Sequence, residues 1–189
     1  MSVSSAQHAE ASLRASHARL QQSASSSGPI VLLHLGNEAL ALAFGEHGQQ
    51  LAYLPLGLQM LSQRYLSVTR LSPLAVEHAI AEVEDVVMPW HHKLPATAQL
   101  FSEDDVVLEL ARWAGMPGDT PSWRLSTEAV ETLFNRWSAL VQGRPSSQDP
   151  LPSTGRFAAA LLVLREWLHH LGFDGITVTR SCPLTDSSV

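Results

Sequence analysis

Pro29–Leu54, PIVLLHLGNEALALAFGEHGQQLAYL, decides how this 189-residue chain is to be read. Ile30–Leu35 is a continuous apolar run, Gly36-Asn37 carries the chemistry of a tight turn, and Ala39–Phe44 is a second run. Gly45 and Gly48 bracket the next turn, and Gln50–Leu54 supplies a third strand. Connections this short join antiparallel neighbours, so the stretch reads as a three-stranded antiparallel meander.

Downstream, Pro55 leads into a helix of about ten residues through Leu58, Met60, Leu61 and Tyr65. The next segment, Leu71–Pro95, has the clearest helical signature in the chain. Ser72 is placed to cap and Pro73 occupies the first helical position, where its missing N–H costs nothing. Val76, Ile80, Val83 and Val87 then recur at helical spacing, with His78, Glu82 and Asp85 on another face, and Pro89 ends the run. Ala98–Phe101 reads as a short strand, Ser102 as the N-cap of a helix over 103–114, and Glu103, Asp104 and Asp105 as first-turn acids that favour the helix dipole. Gly115, Pro117 and Gly118 stop that helix, and Pro121–Leu125 reads as an irregular crossing to Ser126, which caps an amphipathic helix closed by Gly143.

The Pro- and Ser-rich stretch Arg144–Gly155 reads as an exposed, mobile loop. Phe157–Leu171 is the most apolar helix and is expected to be buried nearly all round. Gly172 supplies its C-cap, and Ile176–Thr179 a last β-branched strand. The expected architecture is α+β: an N-terminal three-stranded antiparallel meander extended to a central mixed sheet of about five strands, covered by four or five helices. Residues 1–28, with few large apolar groups to offset the entropy of ordering, read as a disordered Ser/Ala-rich tail; 29–180 as a single domain; 181–189 as a flexible C-terminal tail.

Composition narrows the function classes. The formal net charge is -6 and the Lys and Arg residues are scattered, which speaks against a nucleic-acid partner. No run of about 18 apolar residues occurs, which speaks against a membrane span. A single cysteine, Cys182, leaves no disulfide framework, as suits a cytoplasmic protein. No phosphate-binding glycine motif, nucleophile elbow or paired-cysteine metal motif is present. The order of a β-meander followed by a helix resembles the opening of actin-like and ribonuclease H-like folds, which place an acid in an Asp-x-Gly turn of the first hairpin. Here that stretch is His34-Leu35-Gly36-Asn37, without the acid. The likeness is one of topology alone and implies no function.

With no catalytic residues assigned and no cofactor expected, the leading reading is a non-enzymatic accessory or assembly factor that binds another protein or itself. Its surface is placed at Trp90, His91, His92, Phe101 and Trp123, since indoles are enriched in interfaces. The alternative is a metal-binding protein or hydrolase that uses His78, Glu82, Asp85, His91, His92, Glu166 and His169, where Glu166 and His169 share a helix face at the spacing of carboxylate-bridged metal bundles. Cys182 and the terminal Thr185–Val189 pattern are weaker candidates, for a thiolate and for docking by strand addition.

Overall fold

Three turn-linked apolar runs have only one economical way to satisfy their backbone, and the computed structural model, which describes residues 3–23, 28–95, 97–116 and 120–180, shows it: β1 (Ile30–Leu35), β2 (Leu40–Phe44) and β3 (Gln50–Leu54) form an antiparallel meander. Val31 pairs with Phe44 and Leu40 with Leu54, so the register follows directly from the two short turns. The meander occupies one side of a six-stranded mixed sheet of order β3-β2-β1-β4-β6-β5, where β4 is Gln99–Ser102, β5 Ser122–Ser126 and β6 Gly175–Thr179. β4 is parallel to both β1 and β6, whereas β5 closes the far edge antiparallel to β6.

Five helices cover one face: α2 (Leu58–Leu61, continued by a wider turn to Leu66), α3 (Pro73–Val87), α4 (Asp105–Trp113), α5 (Thr127–Val141) and α6 (Gly155–Leu171). The caps expected at Ser72 and Ser126 are made: each hydroxyl accepts a backbone N–H three residues on. α6 is buried along nearly its whole length, including Trp167, and it stops at Gly172, whose left-handed φ of 71° a side chain would resist. At its other end Gly155 lies so close to Ser62 that an added Cβ would sit 2.2 Å from the Ser62 hydroxyl oxygen, which holds α6 against α2.

Four expectations are corrected. The segment before residue 29 is not a bare tail. Val3–Ser23 forms a helix, here α1, that packs Leu13 and Leu20 against Ile30, Leu32, Ala43 and Phe101 on the second face of the sheet. Two leucines suffice because polar groups add to them: Arg14 donates to the carbonyls of Gly48 and Gln49, and Gln21 donates to that of Gly28. Residues 122–126 are a strand, not an irregular crossing; their side chains alternate outward and inward, with Trp123 and Leu125 buried. Ser102 ends β4 instead of capping a helix, and Asp104 stands at the N-cap position of α4 without making a capping bond. The Pro-rich loop is anchored: Asp149 accepts from Arg136 at 2.7 and 2.8 Å, and Leu151 is buried. Residues 181–189, with Cys182 and the terminal motif, and the helix-stop residues Pro117 and Gly118 lie outside the described residues. Among the described residues no helix is long and apolar enough to cross a membrane.

Candidate functional site

β1 and β4 are parallel neighbours from which the chain departs in opposite directions, from β1 to β2 on one side and from β4 toward β5 and β6 on the other. In open α/β sheets, crevices outside the carboxyl ends of parallel strands at such a switch are where ligands are held. Here the carboxyl end of β1 carries His34-Leu35-Gly36-Asn37, and that of β4 carries Ser102-Glu103-Asp104.

Side-chain alternation along β1 sends Val31, Leu33 and Leu35 to the five-helix face and Ile30 and Leu32 to the α1 face. His34 therefore emerges on the α1 face, half-exposed, just past the last buried residue there. Its Nδ1 donates to Asp104 Oδ1 at 2.6 Å. The second carboxylate oxygen of Asp104 accepts the Leu35 N–H at 2.7 Å and the Ser102 hydroxyl at 3.1 Å, while the Asp104 N–H donates back to Ser102 Oγ at 3.2 Å. This commitment explains why Asp104 caps nothing: its carboxylate is turned away from α4 and across to β1. The hydrogen bond from Nδ1 to the carboxylate raises the His34 pKa above its ordinary 6.5, against the opposing pull of burial.

Asp104, two residues past the end of β4, thus brings a carboxylate to the carboxyl end of β1. The turn itself is fixed from the other side, because the Leu58 and Gln59 N–H groups at the start of α2 donate to the carbonyls of Gly36 and Asn37, both at 3.0 Å. That approach requires Gly57, where an added Cβ would lie 2.1 Å from the Asn37 carbonyl oxygen. Next to His34 and Asp104 an open cleft of about 460 Å³ runs beneath α1, lined also by Ser12, Ser16, Arg19, Tyr53 and Glu103. Arg19 is paired with Glu103 at 2.5 Å. With Nδ1 committed as a donor, the His34 Nε2 is the basic nitrogen, so the pair has the arrangement of an imidazole base oriented by a carboxylate.

The residues proposed for partner binding do not form one surface. Phe101 is buried beneath α1 and Trp123 is buried on β5, with Arg180 stacked on its ring. Trp90 packs edge-on against Phe44 and carries Lys93 over its face. His91 and His92 stay exposed, and His91 Nδ1 donates to the His170 carbonyl at 2.8 Å. The candidate metal ligands are also divided. His78 lies edge-on to Tyr65, Glu82 accepts from Arg64 and Tyr65, and Asp85 and His169 are exposed. Glu166 is buried, and its neighbours are Glu84 and His170, neither of them in the expected ligand set. His34 and Asp104 were missed as a pair. The available signal was a histidine interrupting an otherwise apolar strand, and an acid at the matching end of a strand that proves to be its neighbour.

No protein-family model matches the chain, and no curated protein sequence matches it either. Solved structures do. A Ppx/GppA family member from Aquifex aeolicus superposes with a TM-score of 0.71 at 13% identity, covering 90% of this chain and 58% of that one. The type II variant of the Ppx/GppA phosphatase from the same organism gives a TM-score of 0.70 at 13% identity, with 89% and 58% covered. An exopolyphosphatase from Cytophaga hutchinsonii gives 0.63 at 15% identity, with 88% and 59% covered. At these identities the similarity is one of fold, and this chain spans less than two thirds of each neighbour. It nevertheless corrects the reading of a non-enzymatic accessory factor: the neighbours that share this α+β architecture are described as phosphatases and exopolyphosphatases.

Proposed function

We propose that this chain is a hydrolase domain that cleaves a phosphoric anhydride or ester, with His34 as general base and Asp104 as the residue that orients it. The observation that carries the reading is the 2.6 Å His34–Asp104 hydrogen bond at the carboxyl ends of β1 and β4, on a fold shared with exopolyphosphatases and Ppx/GppA phosphatases. In the reaction, His34 Nε2 takes a proton from water as the water oxygen bonds to phosphorus, and the bond from phosphorus to the leaving oxygen breaks, the electron pair departing with that oxygen. Asp104 holds the imidazole in the tautomer with Nδ1 protonated and stabilises the imidazolium formed. A cytoplasmic location belongs to the same proposal, supported by the single cysteine.

The test is release of orthophosphate from inorganic polyphosphate by the purified full chain. The parent is expected to release it, His34→Ala to lose activity by roughly 10²–10⁴-fold, and Asp104→Asn to lose a substantial part of it. A parent that releases none, or a His34→Ala variant as active as the parent, would overturn the proposal.

A further inference from the structure

Away from the carboxyl edge of the sheet, α3 and α6 pack side by side and bring together three groups that the proposed hydrolysis does not use. Glu166 and His170 lie one turn apart on α6, and Glu84 faces them from α3. His170 Nε2 is 3.1 Å from Glu84 Oε1 and 3.2 Å from Glu166 Oε2, and the three ligand atoms all lie within 4.8 Å of one another. The other oxygen of Glu166 is held by Arg165 at 2.5 Å, and Arg165 is held in turn by Glu131 at 3.0 Å. His91 fixes the His170 backbone by donating to its carbonyl.

The arrangement has a proton deficit. Nε2 carries at most one hydrogen, in the neutral or the charged imidazole, yet two carboxylate oxygens from different helices converge on that single nitrogen. One oxygen takes the hydrogen and the other faces the nitrogen without one. Glu166 takes part with its side chain only 1% exposed, so its carboxylate depends on His170 and Arg165 and not on bulk water. A divalent cation in place of the proton satisfies all three atoms. Ligands bound at about 2.0–2.2 Å around a tetrahedral or octahedral ion stand about 3–3.5 Å apart, the separation seen on both sides of Nε2. Two carboxylate oxygens and one imidazole nitrogen suit a first-row transition ion such as zinc or manganese over magnesium, which prefers an all-oxygen shell.

We propose that Glu84, Glu166 and His170 form a divalent transition-metal site that clamps α3 to α6. Binding forms three metal–ligand bonds and releases the Nε2 proton to solvent, and the remaining coordination positions are filled by water. Arg165 orients the buried Glu166 carboxylate through its second oxygen, as the outer partners of metal ligands do. The site is independent of His34 and Asp104, so it stands or falls apart from the proposed hydrolysis.

The experiment is zinc titration of the untagged full chain by calorimetry, with metal content measured after gel filtration and cobalt(II) absorption as a signature of coordination. The expected result is one tight zinc per chain, visible cobalt bands and a raised melting temperature. Glu84→Gln, at a half-buried position that tolerates the change without refolding the core, is expected to weaken binding at least roughly tenfold and to remove the zinc-induced rise in melting temperature. His170→Ala is expected to abolish the site, and His169→Ala and His78→Ala to leave it intact. Zinc binding of unchanged affinity in Glu84→Gln, or a parent that binds no stoichiometric zinc, would overturn the proposal.

Discussion

His34 and Asp104 are 70 residues apart in sequence and 2.6 Å apart in space, and everything proposed about chemistry depends on that contact. Local pattern places each residue separately: His34 inside the run read as the first strand, Asp104 as an acid favoured by a helix N-terminus. What joins them is the parallel pairing of β1 with β4, a long-range contact that neither residue's own neighbourhood encodes. The pair has a measurable signature. Because the hydrogen bond to Asp104 raises the His34 pKa, protonated His34 stabilises the fold below its unfolded value of about 6.5, and this contribution is lost as pH rises through the higher folded value. Titration of the His34 ring by NMR is expected to give a midpoint above 6.5 that falls back toward it in Asp104→Asn. An unmoved midpoint in that variant would remove Asp104 as the cause.

At the scale of elements, the meander, the Ser72 and Ser126 caps and the buried α6 were legible because each rests on short-range chemistry: turn residues, hydroxyl caps and helical periodicity. β5 was not, since Ser122, Arg124 and Ser126 dilute a strand whose two inward positions are Trp123 and Leu125. α1 was missed for a different reason. Its own sequence offers two large apolar contacts, but the surface it covers was already written into the sheet: Ile30, Leu32 and Phe101 on the face opposite the five helices would otherwise meet water. Leu20→Ala is expected to weaken the docking of α1 by about 2–4 kcal/mol, seen as lost hydrogen-exchange protection in residues 7–23 while the strands remain protected. The same helix responds to pH. His17 is buried with Nε2 donating to the Ile30 carbonyl at 3.2 Å and Nδ1 unpaired, and burial lowers its pKa below 6.5. Undocked α1 therefore binds a proton more readily than docked α1, and docking is expected to weaken as pH falls below about 6.5, until the lowered docked value is passed. Exchange rates corrected for their intrinsic pH dependence check this, and protection of α1 that does not change between pH 7 and pH 5 would contradict it.

For the whole molecule, the expected architecture and the observed one agree in kind: a mixed sheet begun by an antiparallel meander, with helices packed on it, here six strands and six helices among the described residues. The topological likeness to actin-like and ribonuclease H-like folds lay in the order of the first elements. The site was less legible because the acid that such a hairpin turn would carry is absent from that turn, and the carboxylate beside His34 comes from past the end of β4. The sheet is a frame that sets the His34 imidazole, held by Asp104, at its carboxyl edge beside an open cleft. The measurement that tests it most directly is the pH dependence of orthophosphate release from polyphosphate by the parent, His34→Ala and Asp104→Asn. A general base must be neutral to act, so the parent rate is expected to rise with pH through a midpoint above 6.5 and then level. Asp104→Asn should shift that limb to lower pH at a reduced plateau, and His34→Ala should abolish it. A rising limb that persists unshifted in both variants would contradict the account.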